Sequence, residues 1–247
     1  NHSNILEGAT TYVTLEPCAH YGKTPPCATL LKELKFRRVV ISVEELSNKA
    51  KGGAQILQDA GVEVKFGVLE EKGKRLLEPF LSWQNGNFSF LKLGSTINGV
   101  LKGGTITNNE ARVYVHKIRE VVDLLVVGGN TVRVDRPLLD TRLASGKNPP
   151  DIFIYSKAQN FDKQIPLFSV KGRKVIISDD ISLSLNYPLV MFEGGETMLK
   201  NLPSFVTHIL IFFAPNFSRL DSFRVNLELE LLNLGQINGN FYAWFKI

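Results

Sequence analysis

Short apolar runs rich in β-branched residues recur along this chain, and several are followed by a stretch with helical spacing. That alternation limits the fold to a sheet with helices packed on it, because each element must bury an apolar face against another. TTYVTLEP (10–17) reads as the first strand. In PPCATLLKELKF (25–36), Pro25 and Pro26 suit a helix start, and Leu30, Leu31 and Leu34 fall at helical spacing. RRVVISVEE (37–45) is a strand, GAQILQDAG (53–61) a short helix that Gly61 can end, and VEVKFGVL (62–69) a further strand. EEKGKRLLEPFLSW (70–83) reads as a helix leading to the polar, turn-prone QNGN (84–87), where a domain boundary is expected.

A second α/β block follows. FSFLKLGSTINGVLKGG (88–104) reads as a hairpin turning at Asn98-Gly99. NNEARVYVHKIREV (108–121) is an amphipathic helix capped by Asn108 or Asn109. DLLVVGG (123–129) is a buried strand ending in glycines, then a polar loop. DIFIYS, KVIIS, LVMFEGG, THILIFFAP and FYAWFKI supply the remaining strands. The 247 residues suffice for two domains, and 44% hydrophobic with 21% charged residues is ordinary for a globular protein. A net charge of +5 suits a phosphorylated small molecule as well as nucleic acid. No basic run exceeds pairs such as Arg37-Arg38, which argues against a nucleic-acid binder with a continuous basic stripe. No apolar run reaches the roughly 18–20 residues that span a bilayer, no signal pattern opens the chain, and a cytoplasmic location is expected.

Both cysteines lie in LEPCAHYGKTPPC (15–27), and as a bare pair Cys18 and Cys27 are metal ligands, a disulfide or two buried thiols. Cys27 at a helix start would favour a thiolate. In LVMFEGGETML (189–199) a strand runs into Glu193-Gly194-Gly195, with Thr197 opening a helix. This is either a phosphate cradle or a tight strand-to-helix turn. In GGNTVRVDRPLLDTR (128–142), Arg133, Arg136 and Arg142 either await an anion or form surface ion pairs.

TLEPC followed by TPPC resembles the second half of the zinc-site signature of the cytidine-deaminase superfamily, and the AHYGKTPPC spacing resembles the pyrimidine deaminase of riboflavin biosynthesis. FLKLGSTINGV, ITNNEAR, HKIR, GGNTVRVDRPLLDTR and EGGETML resemble the reductase half of the same bifunctional family, in its order and spacing. The resemblance implies a partial cytidine-deaminase-like α/β/α domain over 1–84 and a dihydrofolate-reductase-like α/β domain over 85–247. It implies zinc on Cys18 and Cys27 and hydrolytic removal of an amino group from a phosphorylated ribosylaminopyrimidine. NADPH-dependent reduction of the ribosyl to a ribityl chain would follow. NADPH is expected along Gly94, Thr105, Thr131, Asp135 and Ser156, with its phosphates over Gly195, Glu196, Thr197, Met198 and Leu199. The sugar phosphate is expected near Arg119, Leu139 and Arg142, with Lys92, Asp135 and Glu193 at the reacting carbon. A homodimer through the reductase domain is implied as well.

The family's His-x-Glu, supplying the third ligand and the general acid/base, has no counterpart here. His2 lacks a Glu at the right offset, Glu7 is a poor candidate, and His20 is a contact or a solvated loop residue. A segment upstream of Asn1 is expected to carry it. The alternative is a reductase beside a degenerate deaminase domain, and a pterin reductase of the same fold is a further rival. Asn98 stands where the family usually has Asp, Gly103 where many members have Ser, Thr105 where an aromatic is common, and Arg136 is an addition. The Lys102–Thr105 loop looks short.

Overall fold

The computed structural model describes residues 6–102 and 104–247, and the chain divides into two compact units at Gln84/Asn85. His2 and Gly103 lie outside the described residues.

The first unit carries a parallel sheet of β1 (Thr10–Leu15), β2 (Arg38–Val43) and β3 (Glu63–Lys65), in that spatial order. α1 (Cys27–Glu33), α2 (Gly53–Asp59) and α3 (Glu70–Gln84) connect or follow the strands. Val39, Ile41, Leu57 and Ala28 form its core. Each large aliphatic side chain so buried contributes about 1.5–3 kcal/mol. α2 ends as expected: Gly61 takes φ +81°, its N–H donates to the Gln58 carbonyl, and the Val62 N–H donates to that of Leu57. The expected strand 62–69 is cut to three residues, because Gly67 (φ +77°) and Leu69 (φ +56°) turn the chain into α3.

The second unit is built on one mixed sheet. Its strands are β4 (Phe88–Thr96), β5 (Leu124–Gly128), β6 (Asp151–Tyr155), β7 (Val175–Ser178), β8 (Leu189–Glu193), β9 (His208–Ala214), β10 (Glu230–Ile237) and β11 (Asn240–Lys246). The spatial order is β10-β11-β9-β4-β8-β5-β6-β7. β4 to β9 pair in parallel, while β11 runs antiparallel to β9 and β10 antiparallel to β11. α4 (Asn109–Arg119), α5 (Gly129–Asp135) and α6 (Glu196–Lys200) complete the regular elements used below. Both sheet faces are covered, one by a cluster around Leu125, Ile152 and Phe212, the other by one around Leu124, Phe153 and Phe192. Asn108 caps α4, its side chain accepting from the Ala111 N–H at 2.9 Å.

Two expectations fail here and one strand was not anticipated. The Asn98-Gly99 turn exists, closed by Gly99 N–H to the Thr96 carbonyl, but no return strand follows. Both flanks of β4 are taken by β8 and β9, so a hairpin partner has nowhere to pair. The loop expected after Gly128-Gly129 contains α5, anchored by the fully buried Val132. β10, ELLNLGQI, carries too little apolar alternation to be read as a strand and lies at the sheet edge.

Candidate active site

The carboxyl ends of parallel strands in an open sheet leave a crevice between their loops, the usual place for a ligand in such folds. Here the ends of β4, β5 and β8 open into two connected clefts of about 860 and about 490 Å³. They share Thr105, Thr131, Asp135, Gly194 and Gly195.

The larger cleft is the glycine-rich one. Gly128 ends β5 and caps α5, while Gly194 and Gly195 lead from β8 into α6. A Cβ on Gly195 would meet only the Leu101 carbonyl, at 3.9 Å, so the backbone there is open to close approach by a ligand. Gly129 and Gly194 answer a packing need instead. A Cβ at Gly129 would lie 2.6 Å from the Ser156 Oγ, and one at Gly194 2.6 Å from the Met198 Cβ. Glu196, Thr197 and Met198 line this cleft; Leu199, 4% exposed, sits in the core. α6 begins at Glu196 rather than Thr197. Ser156 stands off the cleft, its hydroxyl donating to the Ala158 carbonyl at 2.9 Å and accepting from Arg133 at 3.3 Å.

The smaller cleft holds a buried cluster of ionisable groups. β4 and β8 set Lys92 opposite Glu193 in register, and Nζ lies 3.8 Å from Oε2. Arg119, from the last turn of α4, donates through Nε to Oε1 at 3.1 Å and through Nη2 to Oε2 at 2.8 Å. All three are largely buried, so this is a charge cluster held away from water. Burial alone would raise the Glu193 carboxyl; Arg119 and then Lys92 outweigh it and hold it at about 2. Burial lowers the Lys92 ammonium, with Glu193 opposing and Arg119 adding to the effect. Gly94, Leu139, Arg142 and Asp135 line the same space.

The arginines are engaged with the protein. Arg119 holds Glu193 and reaches the Asp140 carbonyl at 3.4 Å, while Arg142 pairs with Asp140. Arg136 bonds Asp162 at 2.7 Å, and Arg133 lies over the Phe161 ring at 4.2 Å, so neither stands free for a phosphate. Sequence reasoning passed over His116 and Arg112, which also line the smaller cleft. His116 is 5% exposed and accepts from the Leu143 N–H on Nδ1, which places the proton of the neutral ring on Nε2. Burial and Arg119 push its pKa down to about 4. The available signal was the i, i+3 spacing to Arg119 in HKIR.

In the first unit, the Cys27 N–H donates to the Cys18 sulfur at 3.4 Å and both thiols are free. Burial raises the Cys27 thiol, as does Cys18 beside it. The loop is fixed by Glu16, 6% exposed, whose carboxylate accepts from the N–H groups of Glu45 and Ala54 at 3.2 and 2.9 Å. Two thiols suit zinc but make half a tetrahedral set, and no third His, Cys, Asp or Glu joins them among the described residues.

Residues 91–206 match the family model of the RibD C-terminal domain. The riboflavin biosynthesis protein RibD of Chlamydia pneumoniae is 34% identical over 262 aligned residues, covering 87% of this chain and 70% of that protein. The Bacillus amyloliquefaciens protein of the same name is 36% identical over 155 residues, 60% of this chain and 42% of its own length. The chain thus spans about half or less of several curated relatives. A crystal structure of a diaminohydroxyphosphoribosylaminopyrimidine deaminase/5-amino-6-(5-phosphoribosylamino)uracil reductase from Thermotoga maritima superposes with a TM-score of 0.67. It is 27% identical and covers 97% of this chain and 80% of that one.

Proposed function

Since this chain belongs to the RibD family of riboflavin biosynthesis proteins, we propose that its second unit, 85–247, is a dihydrofolate-reductase-like, NADPH-dependent reductase. Its substrate is the phosphorylated ribosylaminopyrimidine, whose sugar it converts to a ribityl chain. The observation that carries the reading is the buried Lys92–Glu193–Arg119 cluster beside a glycine-lined cleft at the strand ends. Gly195, Glu196, Thr197 and Met198 would hold the cofactor phosphates, with Gly94, Thr105, Thr131 and Asp135 along its remaining length. When bound, NADPH supplies the hydride.

In the reduction the C1′–O4′ bond of the furanose breaks, C1′ gains the hydride and O4′ gains a proton. Lys92, its pKa lowered by burial, is suited to deliver that proton. Glu193, held ionised, fixes Lys92 and Arg119 in place, and Arg142 with Leu139 receives the sugar phosphate. The first unit, 1–84, is proposed as the C-terminal portion of a zinc-dependent, cytidine-deaminase-like domain, with Cys18 and Cys27 as ligands completed by residues outside those described. A cytoplasmic homodimer belongs to the same reading. No helix among the described residues is long and apolar enough to cross a membrane, and Leu231 and Leu234 on the edge strand β10 leave an apolar face for a second subunit.

The test is NADPH consumption with the phosphorylated substrate. Turnover is expected, with Arg142→Ala raising KM roughly tenfold or more and Cys18→Ser leaving the rate unchanged. Absence of NADPH oxidation by the folded protein overturns the reading.

A further inference from the structure

The substrate lip of the smaller cleft, residues 136–148, is unusual in its backbone. Three non-glycine residues in it have positive φ: Arg136 (+42°), Leu139 (+52°) and Asn148 (+49°). A γ-branched residue such as Leu139 keeps that conformation only where its surroundings over-determine it. α4 holds one side. His116 accepts from the Leu143 N–H, Arg119 reaches the Asp140 carbonyl, and Glu120 accepts from Ser145 through both its N–H and its hydroxyl. On the other side Arg136 pairs with Asp162 and the Leu167 N–H bonds the Pro137 carbonyl, while the Leu138 and Leu139 carbonyls are held by Arg173, which precedes β7 and lines neither cleft. Its Nη1 donates to the Leu139 carbonyl, and its Nη2 donates to those of Leu138 and Leu167 at 2.8 Å each.

This is a costly use of a guanidinium. Arg173 forms no salt bridge among the described residues, and its Nε is buried without a hydrogen-bond partner there. A side chain kept in that state for three carbonyls serves the conformation of the segment that carries them. We propose that Arg173 is a positioning residue for the substrate end of the cleft: by holding the Leu138 and Leu139 carbonyls it fixes the lip that presents Leu139 and Arg142. This rests on the reductase reading above only for the identity of the ligand.

The test compares wild type with Arg173→Met and Arg173→Lys by hydrogen exchange and by kinetics. In Arg173→Met, amides of 138–146 are expected to exchange at least about tenfold faster, with those of β5 unchanged. KM for the phosphorylated substrate should rise about tenfold, with kcat within about twofold and NADPH affinity unchanged. Arg173→Lys, which keeps the charge, should recover part of both and serves alone where the Met variant does not fold. Wild-type exchange at 138–146 in a folded variant overturns the proposal, as does a joint loss of kcat and NADPH affinity. An inactive wild type would sink the reductase reading, while the exchange result would still decide the role of Arg173.

Discussion

The Arg119 guanidinium grips both carboxylate oxygens of Glu193, at 3.1 and 2.8 Å, tying the end of α4 to the end of β8. A fork on a carboxylate is among the strongest side-chain pairings, and in a buried site neither partner is cheaply left alone.

An acid-sensitive stability follows from that pair. The Glu193 carboxyl titrates near 2 in the folded chain and near 4.3 when unfolded. Between those values the unfolded state binds more protons, so the contribution is full above about pH 5 and is lost as pH falls toward 2. Its size is up to about 3 kcal/mol. Denaturant unfolding at a series of pH values should show this loss, and Glu193→Gln should flatten it while lowering stability at neutral pH. An unchanged acid limb in the variant would refute the assignment.

His116 acts in the neighbouring window. Its folded pKa of about 4 lies below the unfolded value near 6.5, so stability falls as pH drops from about 6.5 to 4. The groups around it are Arg119, Asp140, Arg142 and Glu193. His116→Gln keeps an acceptor for the Leu143 N–H and should remove this part of the pH dependence. NMR titration of the His116 ring in wild type gives the direct check: a pKa at or above 6.5 is incompatible with the buried neutral ring.

Glu16 is predicted to be the structural anchor of the cysteine loop. Glu16→Ala would leave the Glu45 and Ala54 N–H groups buried without acceptors, at a cost of about 2–4 kcal/mol. Trp83 lies in the first unit, so its fluorescence in a Trp244→Phe background reports this unit's unfolding. A shift in midpoint below what about 0.5 kcal/mol would produce shows that the carboxylate is dispensable.

Gly129→Ala tests the floor of the larger cleft. The added methyl would press on Ser156, 2.6 Å from its Oγ and 2.7 Å from its Cβ, and must displace the start of α5. NADPH affinity is expected to fall about tenfold with the fold retained. Wild-type affinity in the variant would remove α5 from the cofactor site.

Much of this architecture was legible in residue patterns. The parallel strands are short apolar runs, and the α4 cap was readable because Asn108 stands just before the periodic stretch. What escaped is what tertiary context decides. The Asn98-Gly99 turn has hairpin chemistry, but β8 and β9 already flank β4, and Asn98 bonds instead to the Ser218 backbone. α5 is too short and too glycine-rich at its start to show a period. At the site, residue types announced the glycine turns and the arginines, whereas partners did not. The bond from Arg119, expected near the sugar phosphate, to Glu193 and the place of Ser156, expected along the cofactor, behind Gly129 depend on elements distant in sequence.

The central place of β4 sets the order in which this chain can assemble. Residues 88–96 find their neighbours only in 189–193 and 208–214, about a hundred residues later, so the middle of the large sheet stays unpaired until nearly the whole second unit has been synthesised. The β1–β2–β3 pairings lie within residues 10–65, so this small sheet needs no later segment of the chain to form. During that interval Leu91 and Leu93, buried in the finished sheet, lack their cover. The second unit is therefore the one whose yield should depend on temperature and on chaperones during synthesis.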